Sequence, residues 1–178
     1  MDDIEVVERY AILLLSVDNK PIPSSLHLQK ELFILTNSIK SVQRVFNYQP
    51  HYAGPFSQIL KEIVDSPAYV ENAFLLRNTQ IFLSSNGQRA SEQLKKEYDS
   101  SFKFNSIISS MKLVRSIYDR LSEDELLLLV YETYPEYTEY SSEYERVCKD
   151  KPLRRNLIES LSNKGVITEA RKQELLHG

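Results

Sequence analysis

The chain has 178 residues, of which 42% are hydrophobic and 26% charged, with a formal net charge of −3. This composition is typical of a globular protein with one core, and the sequence has no apolar run of about 18 residues that would predict a membrane span. The single cysteine, Cys148, excludes an internal disulfide and favours a cytoplasmic location, and no membrane partner is expected.

The charge is unevenly distributed along the sequence. Residues 122–150 carry nine acidic and two basic side chains, whereas the flanking segments 101–121 and 151–178 each have an excess of three basic side chains. Proteins that bind duplex DNA through many phosphates are usually basic. The net charge therefore disfavours nucleic-acid binding as the first interpretation and predicts one strongly acidic surface.

Helical spacing of apolar residues predicts a first helix over residues 3–17, which ends before Pro21 and Pro23. Ser24 or Ser25 is expected to cap a second helix that ends near Ser38. In this second helix the apolar side chains face the core, and three polar side chains are expected to face outward: Gln29, Lys30 and Asn37.

Residues 44–52 are expected to be extended, with Pro50 confining them to an edge strand or a loop. Gly54 and Pro55 then predict the start of a third helix, because proline is tolerated in a first helical turn. The apolar runs AFLL and QIFLS follow, separated by Arg77-Asn78-Thr79, and predict a β-hairpin.

The second half of the sequence is expected to be entirely helical. Ser122 and Glu125 form a capping-box pattern, Pro135 ends that helix, and Pro152 begins the next, for which Gly165 is the expected C-cap. The predicted fold class is mainly α with a small β-hairpin. A winged helix-turn-helix-like unit over 1–98 would be merged with a helical half over 99–178, with the boundary near residues 98–104.

Two groups of residues carry a resemblance to a known family. The sequence resembles the Panacea domain family of SocA-like antitoxins, and within it the YwgA-like branch, over about residues 5–142. The matching residues are Leu28, Gln29, Lys30, Phe46, Tyr52, Gly54, Pro55, Phe56 and Ser57, followed by Tyr134-Pro135-Glu136-Tyr137. Ala53 departs from the pattern by separating Tyr52 from Gly54. The resemblance implies an antitoxin-like or regulatory binding module, often beside a toxin partner, without established enzyme activity.

The first candidate contact site is the segment Gly54, Pro55, Phe56 and Ser57. It is interpreted either as a structural helix start or as a helix N-terminus whose N–H groups meet a phosphate or a partner carboxylate. Both roles are compatible.

The second candidate contact site is the tyrosine- and glutamate-rich block around Tyr134, Tyr137 and Tyr140, which also contains Tyr131 and Tyr144. One interpretation buries two or three of these rings in the core and leaves the glutamates in solvent. The other is an acidic docking surface for a basic protein partner, since tyrosine suits interfaces. We favour the protein partner, a cognate toxin or a regulatory target, and consider a homodimer as well.

A DNA-binding transcriptional regulator is the alternative function. In that case residues 55–66 form the recognition helix, with Ser57, Gln58 and Lys61 toward the DNA and Arg77 of the hairpin on the backbone. Glu62 and Asp65 on the same helix oppose this interpretation.

The remaining polar clusters give weaker indications. The basic residues around Pro152 (Lys149, Lys151, Arg154 and Arg155) are expected to lie at a solvated helix start paired with the acidic block, with a phosphate site as the alternative. His27 and Glu31 are interpreted as surface or capping residues, and Cys148 as a buried cysteine. No catalytic motif, cofactor site or metal site is predicted, so the chain is not expected to be an enzyme.

Overall fold

The computed structural model describes residues 2–18 and 20–177. Most of these residues are helical, and the strands form two separate antiparallel hairpins, which confirms the mainly α class with small β elements. The helices are α1 (Asp3–Ser16), α2 (Ser25–Asn37), α3 (Lys40–Phe46), α4 (Gln58–Asp65), α5 (Ser85–Glu97), α6 (Phe102–Tyr118), α7 (Glu123–Thr133), α8 (Ser142–Tyr144), α9 (Lys151–Asn163) and α10 (Glu169–His177). The strands are β1 (Gln49–His51), β2 (Gly54–Phe56), β3 (Phe74–Arg77) and β4 (Gln80–Leu83).

Serine side chains determine where many of these helices begin. In each case the hydroxyl accepts a hydrogen bond from a backbone N–H of the first turn, which would otherwise lack a partner. The capping serines include Ser24, Ser57, Ser84, Ser101 and Ser122. At Ser122 the Glu125 carboxylate also accepts from the Ser122 N–H at 2.6 Å, so the predicted capping box is confirmed.

The segment between α2 and α4 differs from the sequence prediction. Residues 40–46 form helix α3, and residues 49–56 form a hairpin in which Pro50 pairs with Pro55. Pro55 therefore lies in a strand, and α4 begins at Gln58 after its cap Ser57. The prediction that Pro55 opens this helix was wrong, because Pro55 pairs with Pro50 in the hairpin and the helix begins only after Ser57.

The described residues group into two compact units. The first unit falls within 1–48 and 57–119, and the second within 49–56 and 120–178. Helix α6 thus belongs with the first unit, although the sequence boundary was expected near residues 98–104. The β1–β2 hairpin belongs with the second unit.

In the first unit, α1 forms the centre and contacts α3, α4, α5 and α6. The predicted β3–β4 hairpin is confirmed, with Phe74 paired to Leu83 and Arg77 paired to Gln80. Ile22, after α1, exchanges two backbone hydrogen bonds of 2.9 and 3.0 Å with Ile81 of β4. Fully buried apolar side chains of the unit include Val7, Leu14, Ile22, Leu32, Phe46, Ile81 and Met111.

Charged side chains are also buried in the first unit. Arg115 of α6 is fully buried, donates from Nε to both carboxylate oxygens of Asp119, and donates to the carbonyl oxygens of Leu14, Lys20 and Pro21. The Glu31 carboxylate lies 3.8 Å from Arg115 Nε, too far for a hydrogen bond. Burial, with Asp119 nearby, raises the pKa of Glu31 well above its ordinary value, although Arg115 opposes the rise.

The second unit has its own apolar centre. Helix α7 packs on α9 and on strand β2, and α9 packs on α10. Buried apolar side chains of the unit include Leu126, Leu128, Val130, Tyr131, Val147, Ile158, Leu161 and Leu175. Among the helices described in the two units, none has the length and apolar character needed to cross a membrane.

Candidate functional site

Gln29 of α2 is hydrogen-bonded to Ser57, the cap of α4. Its Nε2 donates to the Ser57 carbonyl oxygen, and its Oε1 accepts from the Ser57 N–H, each at 2.9 Å. Gln29 and Ser57 are both buried, so this pair replaces water for both backbone groups of Ser57. We refer to these two residues as the Gln29–Ser57 junction.

The Ser57 hydroxyl is engaged as well. It donates to the Phe46 carbonyl oxygen at 2.5 Å and accepts from the Leu60 N–H at 3.2 Å. Gly54 and Pro55 are also buried, and Gly54 has a φ of 79°, a conformation that favours glycine. Of the first candidate contact segment only Phe56 is partly exposed. The burial gives Gly54, Pro55 and Ser57 a structural role.

Gln29 and Lys30 were expected to face outward, and this prediction was wrong. Their exposed fractions are 5% and 2%. The surface prediction for His27 and Glu31 was also wrong, since both are buried, although the His27 ring does hydrogen-bond to the Ser24 hydroxyl at the helix start. Helical periodicity assigns polar side chains to the solvent-facing side. It cannot predict a hydrogen-bond partner such as Ser57, which lies 28 residues after Gln29.

The second unit presents a different group of polar and aromatic residues. The Tyr52 carbonyl oxygen, at the turn of the β1–β2 hairpin, accepts hydrogen bonds from the Ser141 hydroxyl at 2.7 Å and from the Glu143 N–H at 3.3 Å. Tyr52 is 59% exposed, and Tyr140, which precedes Ser141, is 66% exposed. Two exposed rings thus belong to segments that are hydrogen-bonded to each other. We call Tyr52, Tyr140 and the exposed Glu136 and Glu139, which shortly precede Tyr140 in sequence, the Tyr52–Tyr140 surface.

Contacts of the neighbouring side chains support this surface. The Tyr131 hydroxyl lies 2.5 Å from the Ser141 hydroxyl, and burial raises the pKa of Tyr131 to about 12. The His51 ring stacks on Phe56 with centroids 4.6 Å apart. The Ser141 hydroxyl therefore connects the Tyr52 carbonyl oxygen to the buried Tyr131, which restricts the backbone that carries the exposed rings.

The five tyrosines of the predicted block divide by exposure. Tyr131 is buried, Tyr134, Tyr137 and Tyr144 are partly exposed, and Tyr140 is exposed. Burial raises the pKa of Tyr137. Glu136 and Glu139 are exposed, and neither has an ion pair within residues 2–18 and 20–177. The partner-contact prediction for Tyr134, Tyr137 and Tyr140 stays a prediction. Sequence reasoning missed Tyr52, because its turn was not recognised.

Three residues of the DNA-binding alternative, Gln58, Lys61 and Arg77, are exposed but largely paired, whereas Ser57 is fully buried and does not face solvent. Lys61 Nζ lies 2.6 Å from Asp65, and Gln58 donates to Glu62 at 2.8 Å. Arg77 of the β3–β4 hairpin lies over the Phe82 ring. The exposed face of α4 therefore carries two carboxylates for one ammonium group, which repels phosphate.

The basic residues around Pro152 lie at a cavity of about 880 Å³ in the second unit. Arg154 pairs with Glu132, as expected for pairing with the acidic block, and Arg155 pairs with Glu159. Cys148 is buried, and burial raises the pKa of its thiol to about 11, so the thiol is protonated at neutral pH. Among the described residues no group of three His, Cys, Asp or Glu side chains is arranged to hold a metal ion.

Comparison of the sequence with models of known families gives no match, and comparison with curated proteins gives no significant match. The resemblance to the Panacea family therefore depends on the motifs alone. Two of the residues that carry the resemblance, Gln29 and Ser57, form the Gln29–Ser57 junction.

Proposed function

We propose that this chain is a non-enzymatic binding module that acts in an antitoxin-like or regulatory way through protein–protein contact. The observation that supports this proposal is the Tyr52–Tyr140 surface, where two largely exposed tyrosines are attached to a hydrogen-bonded backbone. Tyrosine is enriched among the residues that dominate binding energy at interfaces, because its ring buries apolar area while its hydroxyl keeps a hydrogen bond.

The charge around the surface defines the chemistry of the partner. Glu136 and Glu139 are exposed and flank the tyrosines in sequence, within the strongly acidic segment 122–150. Complementary charge steers association and selects against partners of the same sign. The proposed partner is therefore a protein with a basic surface that contains apolar pockets for the two rings. The mechanism is occlusion of that surface.

Site-specific photocrosslinking tests the proposal. A photoreactive phenylalanine at position 140 is expected to capture one protein in the native host, and the purified protein is expected to bind the chain saturably. The control is the same amino acid at position 102, where Phe102 is 89% exposed in the first unit. Capture of the same proteins from both positions, or of none, contradicts the proposal.

A DNA-binding regulator is the second candidate, and one observation favours it. The order of α1, the Ile22–Ile81 bridge, helices α2 to α4 and the β3–β4 hairpin is compatible with a winged helix-turn-helix arrangement. This function requires Gln58, Lys61 and Arg77 to contact DNA. It predicts DNA binding that weakens steeply with salt and that Lys61→Glu or Arg77→Glu abolishes. No binding to duplex DNA near about 50 mM salt removes this candidate.

A further inference from the structure

The cavity of about 880 Å³ in the second unit has a strongly basic lining. Its cationic side chains are Lys149, Lys151, Arg154, Arg155 and Lys172, with His177 also on the wall. The carboxylates on the wall are Glu132 and Glu159. Five lysine and arginine side chains against two carboxylates leave a formal excess of three positive charges.

The carboxylates are already engaged by the two arginines. Glu132 pairs with Arg154, and Glu159 lies 3.2 Å from Arg155 in the same helix. Lys149 and Lys151, by contrast, form no ion pair with any described residue of 2–18 and 20–177. Lys149 lies over the Tyr144 ring, 5.2 Å from its centroid. Lys172 lies 3.8 Å from Glu169 of its own helix, so the charges of Lys149 and Lys151 are the ones available to an anionic ligand.

Arg154 is held in a fixed orientation at this cavity. Its side chain is only 18% exposed, and it donates to the Leu175 carbonyl oxygen at 3.0 Å in addition to its pair with Glu132. A guanidinium held in this way does not need to be ordered when a ligand binds, which favours affinity. Guanidinium and ammonium groups together are the side chains that proteins use for phosphate.

The rest of the wall adds an aromatic and an apolar component. Tyr144, Ile158 and Leu176 line the same cavity. A volume of this size is within the range of small-molecule sites, which combine apolar walls with a few oriented polar groups. We propose that this cavity binds a small molecule with a chain of two or more phosphate groups. This proposal is independent of the Tyr52–Tyr140 surface.

Isothermal titration calorimetry with inorganic tripolyphosphate, at about 50 mM salt to limit screening, tests the proposal. The full chain is expected to bind one equivalent. Arg155→Glu, which reverses a charge on the cavity wall, is expected to weaken binding at least about tenfold. Lys151→Glu is expected to act in the same direction.

Arg171→Glu is the matched control. Arg171 is exposed and pairs with Glu174 in its own helix, as Arg155 pairs with Glu159, but it does not line the cavity. Its reversal changes the net charge equally and is expected to weaken binding less than about twofold, because exposed charges outside the cavity are screened. Thermal unfolding of each variant verifies that it is folded.

Two results of these titrations would overturn the proposal. No heat of binding to the folded wild-type chain overturns the proposal, and so does an equal loss in Arg155→Glu and Arg171→Glu, which indicates a general field effect. If tripolyphosphate binds, a separate titration with ATP distinguishes a nucleotide from a free polyphosphate as the ligand. Tighter binding of ATP assigns a nucleotide, since the ring then contacts the wall, and weaker binding assigns a free polyphosphate.

Discussion

The Gln29–Ser57 junction and the Tyr52–Tyr140 surface use polar residues in opposite ways. At the junction, every polar atom of Ser57 is hydrogen-bonded within the fold, and the residues are buried. At the surface, the Tyr52 carbonyl oxygen is hydrogen-bonded within the fold, but the Tyr52 and Tyr140 rings are largely exposed to solvent. The first arrangement determines where a helix begins, and the second leaves apolar area for a partner. Burial or exposure of the side chains therefore distinguishes a structural motif from a candidate contact site.

Gln29→Leu, at the junction, is expected to have the largest effect of the variants considered, and the effect is on stability. It leaves the buried Ser57 N–H without a partner and removes one of the two hydrogen bonds that the Ser57 carbonyl oxygen accepts, the other coming from the Lys61 N–H at 3.2 Å. The free energy of unfolding is expected to fall by about 2–4 kcal/mol. Urea denaturation measures the loss. The matched control is Gln58→Leu, since the exposed Gln58 side chain hydrogen-bonds to Glu62 in its own helix, and it is expected to change stability by less than about 0.5 kcal/mol. Equal effects of the two variants would show that the junction is not a structural element.

Tyr52→Ala combined with Tyr140→Ala is expected to weaken partner binding and to leave stability nearly unchanged. Because both rings are exposed, stability is expected to change by less than about 1 kcal/mol, while partner affinity falls by about 2 kcal/mol or more. Calorimetry with the purified partner measures the affinity, and Phe102→Ala serves as the control for an exposed ring elsewhere. Unchanged affinity of the double variant removes this surface from the contact.

Glu31→Gln tests the cost of a buried carboxyl through the pH dependence of stability. A carboxyl whose pKa is higher in the folded than in the unfolded chain destabilises the fold increasingly as the pH rises from the unfolded value toward the folded value. The pKa of Glu31 is raised from its ordinary value of 4.5, so the variant is expected to be more stable at neutral pH by about 1 kcal/mol or more. Its unfolding free energy should depend less on pH above about 4.5.

The control for that experiment is Glu139→Gln at the exposed surface, which is expected to change stability by less than about 0.5 kcal/mol. If Glu31→Gln is instead less stable than the wild type at neutral pH, the ion pair with Arg115 outweighs burial.

Glu136→Gln combined with Glu139→Gln is expected to have the smallest effect. Removing two exposed charges should slow association with a basic partner severalfold and reduce its salt dependence, with little change in the dissociation rate. Surface plasmon resonance at two salt concentrations separates these rates. An effect confined to dissociation would indicate that the glutamates are buried in the interface.

Much of the fold was predictable because local signals agreed with the structure. The helix before Pro21, the β3–β4 hairpin, the capping box at Ser122 and the positive φ of Gly165 all follow from short-range chemistry. Helix α3 was missed because it is seven residues long and has no side-chain cap at Ile39. The β1–β2 hairpin was missed because Pro50 and Pro55, which argue against strands, pair with each other.

The candidate site was only partly predictable, for a different physical reason. Tyr140 lies in a segment that composition alone identified as a candidate contact site. The inclusion of Tyr52 depends on its carbonyl oxygen, which accepts a hydrogen bond from a hydroxyl 89 residues later in the sequence. Burial of Gln29 likewise depends on a partner 28 residues away. Long-range hydrogen bonds leave no periodicity in the sequence.

Hydrogen–deuterium exchange of the chain with and without its purified partner tests the central claim most directly. We predict that binding slows exchange at residues 50–53 and 138–143, and that residues 27–31 and 57–61 exchange equally slowly in both states. Protection on binding that appears at 57–61 and is absent at 50–53 and 138–143 would contradict the account.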